Sequence, residues 1–168
     1  KSSDNTTAMT NKFQKILDFA TDTRYVIFIP GTLELNITEV TGTRIRYIVS
    51  YGSINGNITF NYDSTQRIAQ WYQINAVYGT ITLRGFKTLT MFLNYATNFV
   101  IDGNGDDPKL MSTAYCAFYL QSIKNFTITG HNKGWVNENK FYNLRCENLT
   151  IESTDNDYHH NHNIFYGF

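Results

Sequence analysis

Asn57-Ile58-Thr59-Phe60, Thr80-Ile81-Thr82-Leu83, Asn98-Phe99-Val100-Ile101, Asn125-Phe126-Thr127-Ile128 and Asn148-Leu149-Thr150-Ile151 are one short pattern written five times. Asn36-Ile37 reads as an earlier copy. The steps between first residues are 21, 23, 18, 27 and 23 (57−36, 80−57, 98−80, 125−98, 148−125). A short apolar–polar–apolar strand that returns every twenty-odd residues is the sequence signature of a parallel β-helix. Alternate residues of a strand point to opposite faces. The pattern therefore predicts Ile58/Phe60, Ile81/Leu83, Phe99/Ile101, Phe126/Ile128 and Leu149/Ile151 stacked inward. Thr59, Thr82, Val100, Thr127 and Thr150 are expected to stack outward.

The leading Asn has a physical role of its own. It stands where a turn passes into a strand, and Asn tolerates left-handed backbone and bonds to neighbouring backbone groups. Amides stacked at one level can also pair from coil to coil. Asn57, Asn98, Asn125 and Asn148 are thus expected to form a structural column, with Thr80 as its one substitution. Four of the five Asn-x-Thr triplets, at Asn36, Asn57, Asn125 and Asn148, fall on this ladder; the fifth is at Asn5. They read as structural positions rather than as glycosylation sites.

The 168 residues are one domain's worth of chain. Fourteen basic residues balance fourteen acidic ones, so no electrostatic footprint for nucleic acid is present. Charge is scarce at 17%, while 12 Tyr and 12 Phe make aromatics plentiful. No run is apolar and long enough to span a membrane as a helix, and membrane insertion is not expected. Cys116 and Cys146 do not make a disulfide framework and read as free, buried thiols. No signal peptide is apparent.

Ahead of the repeats, Asp4-Asn5-Thr6-Thr7 precedes Met9, Phe13, Ile16, Leu17 and Ala20 at helical spacing. This predicts a helix over about 7–20, begun by a polar cap. The open end of a β-helix exposes its core, so the helix is expected to cover it. The coils should then occupy about 25–168. The next segment, Tyr25-Val26-Ile27-Phe28-Ile29-Pro30-Gly31-Thr32, is an apolar strand closed by a turn.

The order Asp-Asn-Thr, short helix, apolar strand, Ile29-Pro30-Gly31-Thr32 resembles the opening of the pectin-lyase-like superfamily, in the form frequent in bacteriophage tailspikes and tail appendages. The chain departs from that form in lacking a spacer between Pro30 and Gly31 and in carrying Leu33 where Tyr is usual. Ile101-Asp102-Gly103-Asn104-Gly105 resembles an element of polygalacturonase-like β-helices, and residues 122–130 resemble the coil that follows it. The resemblance implies an all-β, right-handed, single-stranded parallel β-helix with an N-terminal capping α-helix. It also implies a role on bacterial surface glycans, by binding or depolymerisation, as part of a homotrimeric virion appendage. A secreted polysaccharide lyase or glycoside hydrolase of the pectin-lyase type is the alternative, and a purely structural virion rod a third.

Candidate chemistry is sparse. Cleavage of a glycosidic bond usually needs two flanking carboxyls. Four positions past each ladder residue lies an outward column, Asn61, Arg84, Asp102, Thr129 and Glu152. Asp102 and Glu152 are two coils apart on it, about 10 Å at one strand spacing per coil. Asp155 and Asp157 lie where polygalacturonase-type enzymes carry an Asn-x-Asp, but Asp155-Asn156-Asp157 does not match that order. The same two carboxyls suit Ca²⁺ by donor type, although no cofactor is indicated. His159, His160 and His162 make the densest titratable cluster, and only His160 and His162 could share a strand face, so no metal site is expected.

Trp135, in the excursion 130–139, and Trp71 are candidate rings for stacking on sugar, with Tyr72 and Arg84 beside the expected binding face. A second excursion, 102–113, leaves its coil at the matching point, and 53–78 reads as irregular. Phe118-Tyr119 and Phe141-Tyr142 precede Asn125 and Asn148 by seven residues (125−118, 148−141), and Phe165-Tyr166 resembles them; by that register the next ladder residue would stand near position 172, so the chain reads as the N-terminal portion of a longer β-helix.

Overall fold

The structure, a computed structural model, describes residues 6–19, 26–29, 34–42, 47–61, 70–84, 89–102, 117–129, 140–142, 145–151 and 164–166. Among the described residues one helix, α1 (Thr6–Phe19), is followed by nine strands. These are β1 (Val26–Ile29), β2 (Leu35–Gly42), β3 (Tyr47–Asn61), β4 (Gln70–Arg84), β5 (Leu89–Asp102), β6 (Ala117–Thr129), β7 (Lys140–Tyr142), β8 (Cys146–Ile151) and β9 (Ile164–Tyr166). Every strand pairing among them is parallel. Strands that are parallel, in sequence order and joined by short connections can only be successive turns of a solenoid.

Each of β3 to β6 carries two legs of a turn in one long strand. The first legs stack in the order β1, β3, β4, β5, β6, β7, β9, and the second legs add β2 against β3 and β8 against β6. Columns of identical register run through the stack. Ile27, Ile48, Tyr72, Met91, Phe118, Phe141 and Phe165 form the inner column of the first leg. Val40, Ile58, Ile81, Phe99, Phe126 and Leu149 form that of the second. All are buried except Phe165, which packs half-buried on the core, and Leu149, which is exposed on the last described second leg. Within the core Phe118, Phe141 and Phe165 stack face to face at 4.9 and 4.8 Å, a spacing the strand separation imposes.

The expected inward pairs hold wherever their side chains are described, apart from Leu149. On the outward set, Thr82, Val100 and Thr127 are half-buried and Thr150 is exposed. Thr59 is the exception and is buried.

The Asn column is present. Asn98, Asn125 and Asn148 are register partners, Thr80 pairs with Asn98, and Asn57 lies one residue before the Ile58–Ile81 pair. The Asn148 amide donates to Asn125 Oδ1 at 2.9 Å, and the Asn125 amide to Asn98 Oδ1 at 2.9 Å. Where Thr80 interrupts the ladder, its own backbone N–H donates to Asn57 Oδ1 at 2.9 Å. Asn36 does not belong to this column. It pairs with Asn55, whose amide donates to Asn36 Oδ1 at 3.1 Å, and Glu39 takes the place beside Asn57.

Among the described residues the register slips at 36/39, 50/53 and 77/80, and the first slip moves Asn36 out of the column. At each, two residues of one strand face one residue of its neighbour, which is a β-bulge. The slips fall at or near the corner between the legs. Gly56 and Gly79 occupy this region with φ of 146° and 157°, where only glycine is comfortable.

Helix α1 begins one residue before the expected Thr7 and ends one before Ala20. Phe13 and Leu17 enter the core, and Met9 packs against it. The helix also satisfies the edge of β2. Thr38 N–H donates to Thr10 Oγ1 at 2.7 Å, and Gln14 exchanges two hydrogen bonds with the Thr41 backbone. Thr10 and Gln14 are one helical turn apart, so they reach residues along one strand edge.

Candidate functional site

The described candidates, Trp71, Tyr72 and Arg84, do not share one face. Trp71 is half-buried on the outer face of the first leg, its ring 5.5 Å from that of Phe92. Tyr72, one residue on, points the other way. Its ring is buried and stacked on Phe60 at 4.8 Å, and its hydroxyl donates to Gln70 Oε1 at 2.7 Å. Tyr72 is therefore a core residue and has no face to offer a sugar. The segment 53–78, expected to be irregular, is strand on both sides of residues 62–69. Arg84 is exposed at the end of β4, beside Asn61 and next to the backbone of Asp102 by the Leu83–Ile101 register. The side chain of Asp102 and all of Trp135, Glu152, Asp155, Asp157, Cys116 and His159 to His162 lie outside the described residues.

Two features that the sequence did not single out are built by the register. The first is an outward aromatic column, Phe92, Tyr119, Tyr142 and Tyr166. Successive centroids are 4.4, 4.6 and 4.9 Å apart, with planes within 10° of parallel. Because each ring covers the face of the next, these residues stiffen the sheet and leave mainly edges to solvent.

The second feature is an open cleft of about 460 Å³ at the corner between the legs. Tyr95, Ser122, Ile123, Lys124, Arg145, Cys146 and Glu147 line it. Tyr95 pairs with Ser122, and Ile123 with Cys146, which sets Arg145 opposite Ser122 on the next rung. The Ile123 N–H donates to the Arg145 carbonyl at 2.9 Å and fixes this alignment. Tyr95, Ser122 and Arg145 thus occupy one column on three successive rungs. Lys124 and Glu147 occupy the column two residues further along. Tyr78 lies against the Tyr95 ring at 5.0 Å, tilted by 42°. On the next rung Ser122 is too small to cover a ring, and the cleft opens there.

The cleft offers one aromatic ring, two cations, one carboxylate and a hydroxyl. Among its lining residues Glu147 is the only carboxylate, so the flanking carboxyl pair that glycosidic hydrolysis needs is not assembled from them. Cys146 forms part of the floor. It is a free thiol that donates to the Asn148 carbonyl at 2.7 Å. Burial pushes its pKa above the ordinary value of 9.0, the Glu147 charge adds to the rise, and hydrogen bonding to the Asn148 and Phe126 backbone offsets part of it. Among the described residues no cluster of His, Cys, Asp or Glu could hold a metal ion, and no helix is long and apolar enough to cross a membrane.

No protein-family model, curated protein or solved structure matches the chain.

Proposed function

We propose that this solenoid recognises a bacterial surface glycan, as the binding rod of a bacteriophage tail appendage of the pectin-lyase-like type. The observation that carries the reading is the corner cleft. An aromatic ring beside a gap, with charged and hydroxyl groups around it, is how a polar ring is held: the apolar face of the sugar packs on the aromatic ring, and its hydroxyls exchange hydrogen bonds with the rim. Tyr95 supplies the ring, and Arg145, Lys124, Glu147 and Ser122 the polar partners. The opening segment, with its capping helix and apolar first strand, supports the assignment to an appendage.

The test is calorimetric titration of the protein with purified capsular, O-chain and cell-wall polysaccharides. Binding to at least one of them is expected. Tyr95→Ala should weaken it by about thirtyfold or more, the loss typical of an anchoring aromatic contact. A wild-type protein that binds none of these polymers is a structural rod, and the reading is then wrong.

A further inference from the structure

We infer that the corner cleft receives a single sugar ring, inserted edge-on as a terminal or branch residue, and does not run along a polysaccharide backbone. This inference rests on the glycan reading above and specifies which part of the glycan the site takes.

The argument is the geometry of the column. Rungs of a parallel sheet are about 4.8 Å apart, so Tyr95 and Arg145, two rungs apart, have backbones about 10 Å apart. Elsewhere on this rod that gap is filled. In the outward aromatic column each rung supplies a ring, at 4.4 to 4.9 Å from its neighbours. In the column Tyr95–Ser122–Arg145 the middle rung supplies only a hydroxymethyl group. Tyr95 is thus left without the ring that the outward aromatic column would place on the next rung. A pyranose ring pushed in from the side would fill the gap, its apolar C–H face on Tyr95 and its hydroxyls accepting from the Arg145 guanidinium.

The floor and edge support the same orientation. Ser122, on the middle rung, would meet the ring edge that enters first. Lys124 and Glu147 stand side by side at one edge, a donor and an acceptor for vicinal hydroxyls. The Tyr78 ring also packs on Tyr95, at 5.0 Å and tilted by 42°, which leaves less of that ring for a second sugar. A continuous backbone lying along the axis would have to cross the Tyr95 and Arg145 side chains that wall the slot at either end. A terminal or branch residue needs to cross neither.

The experiment uses the polysaccharide bound in the preceding titrations and fragments of it one to four units long, with a panel of methyl glycosides of hexoses, N-acetylhexosamines, 6-deoxyhexoses and hexuronic acids. Each competes for the protein in a displacement assay. The expected result is that one methyl glycoside competes about as well, per mole, as any longer fragment that ends in the same residue. Enzymatic or chemical trimming of that residue from the polymer should abolish binding. Ser122→Tyr, which fills the slot at an exposed strand position, should lower affinity by about thirtyfold or more while the melting temperature holds or rises. Ser122→Ala, which keeps the slot open and removes only the hydroxyl, should weaken binding far less than Ser122→Tyr does. An affinity that climbs with each added unit, or a Ser122→Tyr protein that binds as wild type does, overturns the inference and leaves glycan binding standing. Failure of the wild-type protein to bind any polymer removes both.

Discussion

Gln14 and Thr41 exchange two hydrogen bonds across the end of the solenoid. The Gln14 side-chain amide donates to the Thr41 carbonyl at 2.8 Å, and the Thr41 N–H donates to Gln14 Oε1 at 2.7 Å. A carboxamide has the donor and acceptor of a peptide group, so Gln14 stands in for the strand that would otherwise lie there. This is how the first rung avoids presenting an open edge at that point.

Replacing Gln14 by Ala should therefore cost about 1–3 kcal/mol, because two partly buried backbone groups lose their partners together. Gln14→Glu should cost a similar amount near neutral pH, since a carboxylate still accepts from the Thr41 N–H but repels its carbonyl. Urea denaturation monitored by circular dichroism gives both values. A Gln14→Ala protein as stable as wild type would show that the helix holds the edge through Thr10, Phe13 and Leu17 without it.

The stacked glycines make a sharper demand. A Cβ on Gly79 would stand 1.8 Å from the Gly56 carbonyl oxygen, and a Cβ on Gly56 the same distance from that of Ile37. Both obstacles are backbone, so neither can rotate aside. Above them the Gly79 N–H donates to Thr97 Oγ1 at 2.7 Å, while the Thr97 hydroxyl donates to the Gly79 carbonyl. Gly79→Ala is expected to cost about 2–4 kcal/mol from strain and overpacking combined. Thr97→Val, which keeps the shape and removes both bonds, should cost about 1–3 kcal/mol. Equal midpoints for wild type and Gly79→Ala would mean that the corner relaxes more freely than its geometry allows.

The Asn ladder predicts an order among its own members. Asn125 donates to Asn98 and to the Thr97 carbonyl and accepts from Asn148, and it is half-buried. Asn148 is exposed and makes one of these bonds. Asn125→Ala should destabilise by about 1–3 kcal/mol and Asn148→Ala by under about 1 kcal/mol, following the number and burial of bonds lost. Thermal melts of the two variants decide it, and a reversed order would mean the ladder is decorative.

The sequence made the solenoid legible because a strand period of two and a coil period near twenty both survive in the pattern of Ile, Phe and Thr. The inner columns, the Asn column and the capping helix follow from those periods. Asn36 was misplaced because Ile37 and Thr38 together face Gly56, and an extra residue in one strand leaves no mark on composition. Tyr72 reads as a surface ring because residues 61–79 lack the ladder motif, although their alternation places Ile74 and Tyr72 on one face. The cleft was hidden for a different reason. Tyr95 and Arg145 are fifty residues apart (145−95), and what joins them is the smallness of Ser122, which gains meaning only once the three are known to share a column. The Phe-Tyr repeat was visible, but its outward half reads as an aromatic stack only when the register is in hand.

Cys146 gives a prediction with a defined sign. Its thiol is raised above 9.0 chiefly by burial, so the folded protein holds the proton to higher pH than the unfolded chain does. Below the unfolded value both states are protonated and the group has no effect on pH dependence. As pH rises from there through the folded value, the unfolded state loses its proton first, and stability falls. In a Cys116→Ser background, the wild-type thiol at 146 should therefore make the protein less stable at pH 10 than at pH 8 by more than a Cys146→Ala variant is. The same shift lowers the thiolate fraction of the native state, and thiolate is the reactive form. Iodoacetamide at pH 8 should thus label native Cys146 more slowly than the same residue in 8 M urea, and slowly too relative to a small-molecule thiol such as N-acetylcysteine; native labelling as fast as the free thiol would show that the Asn148 bond and the cleft floor do not protect it.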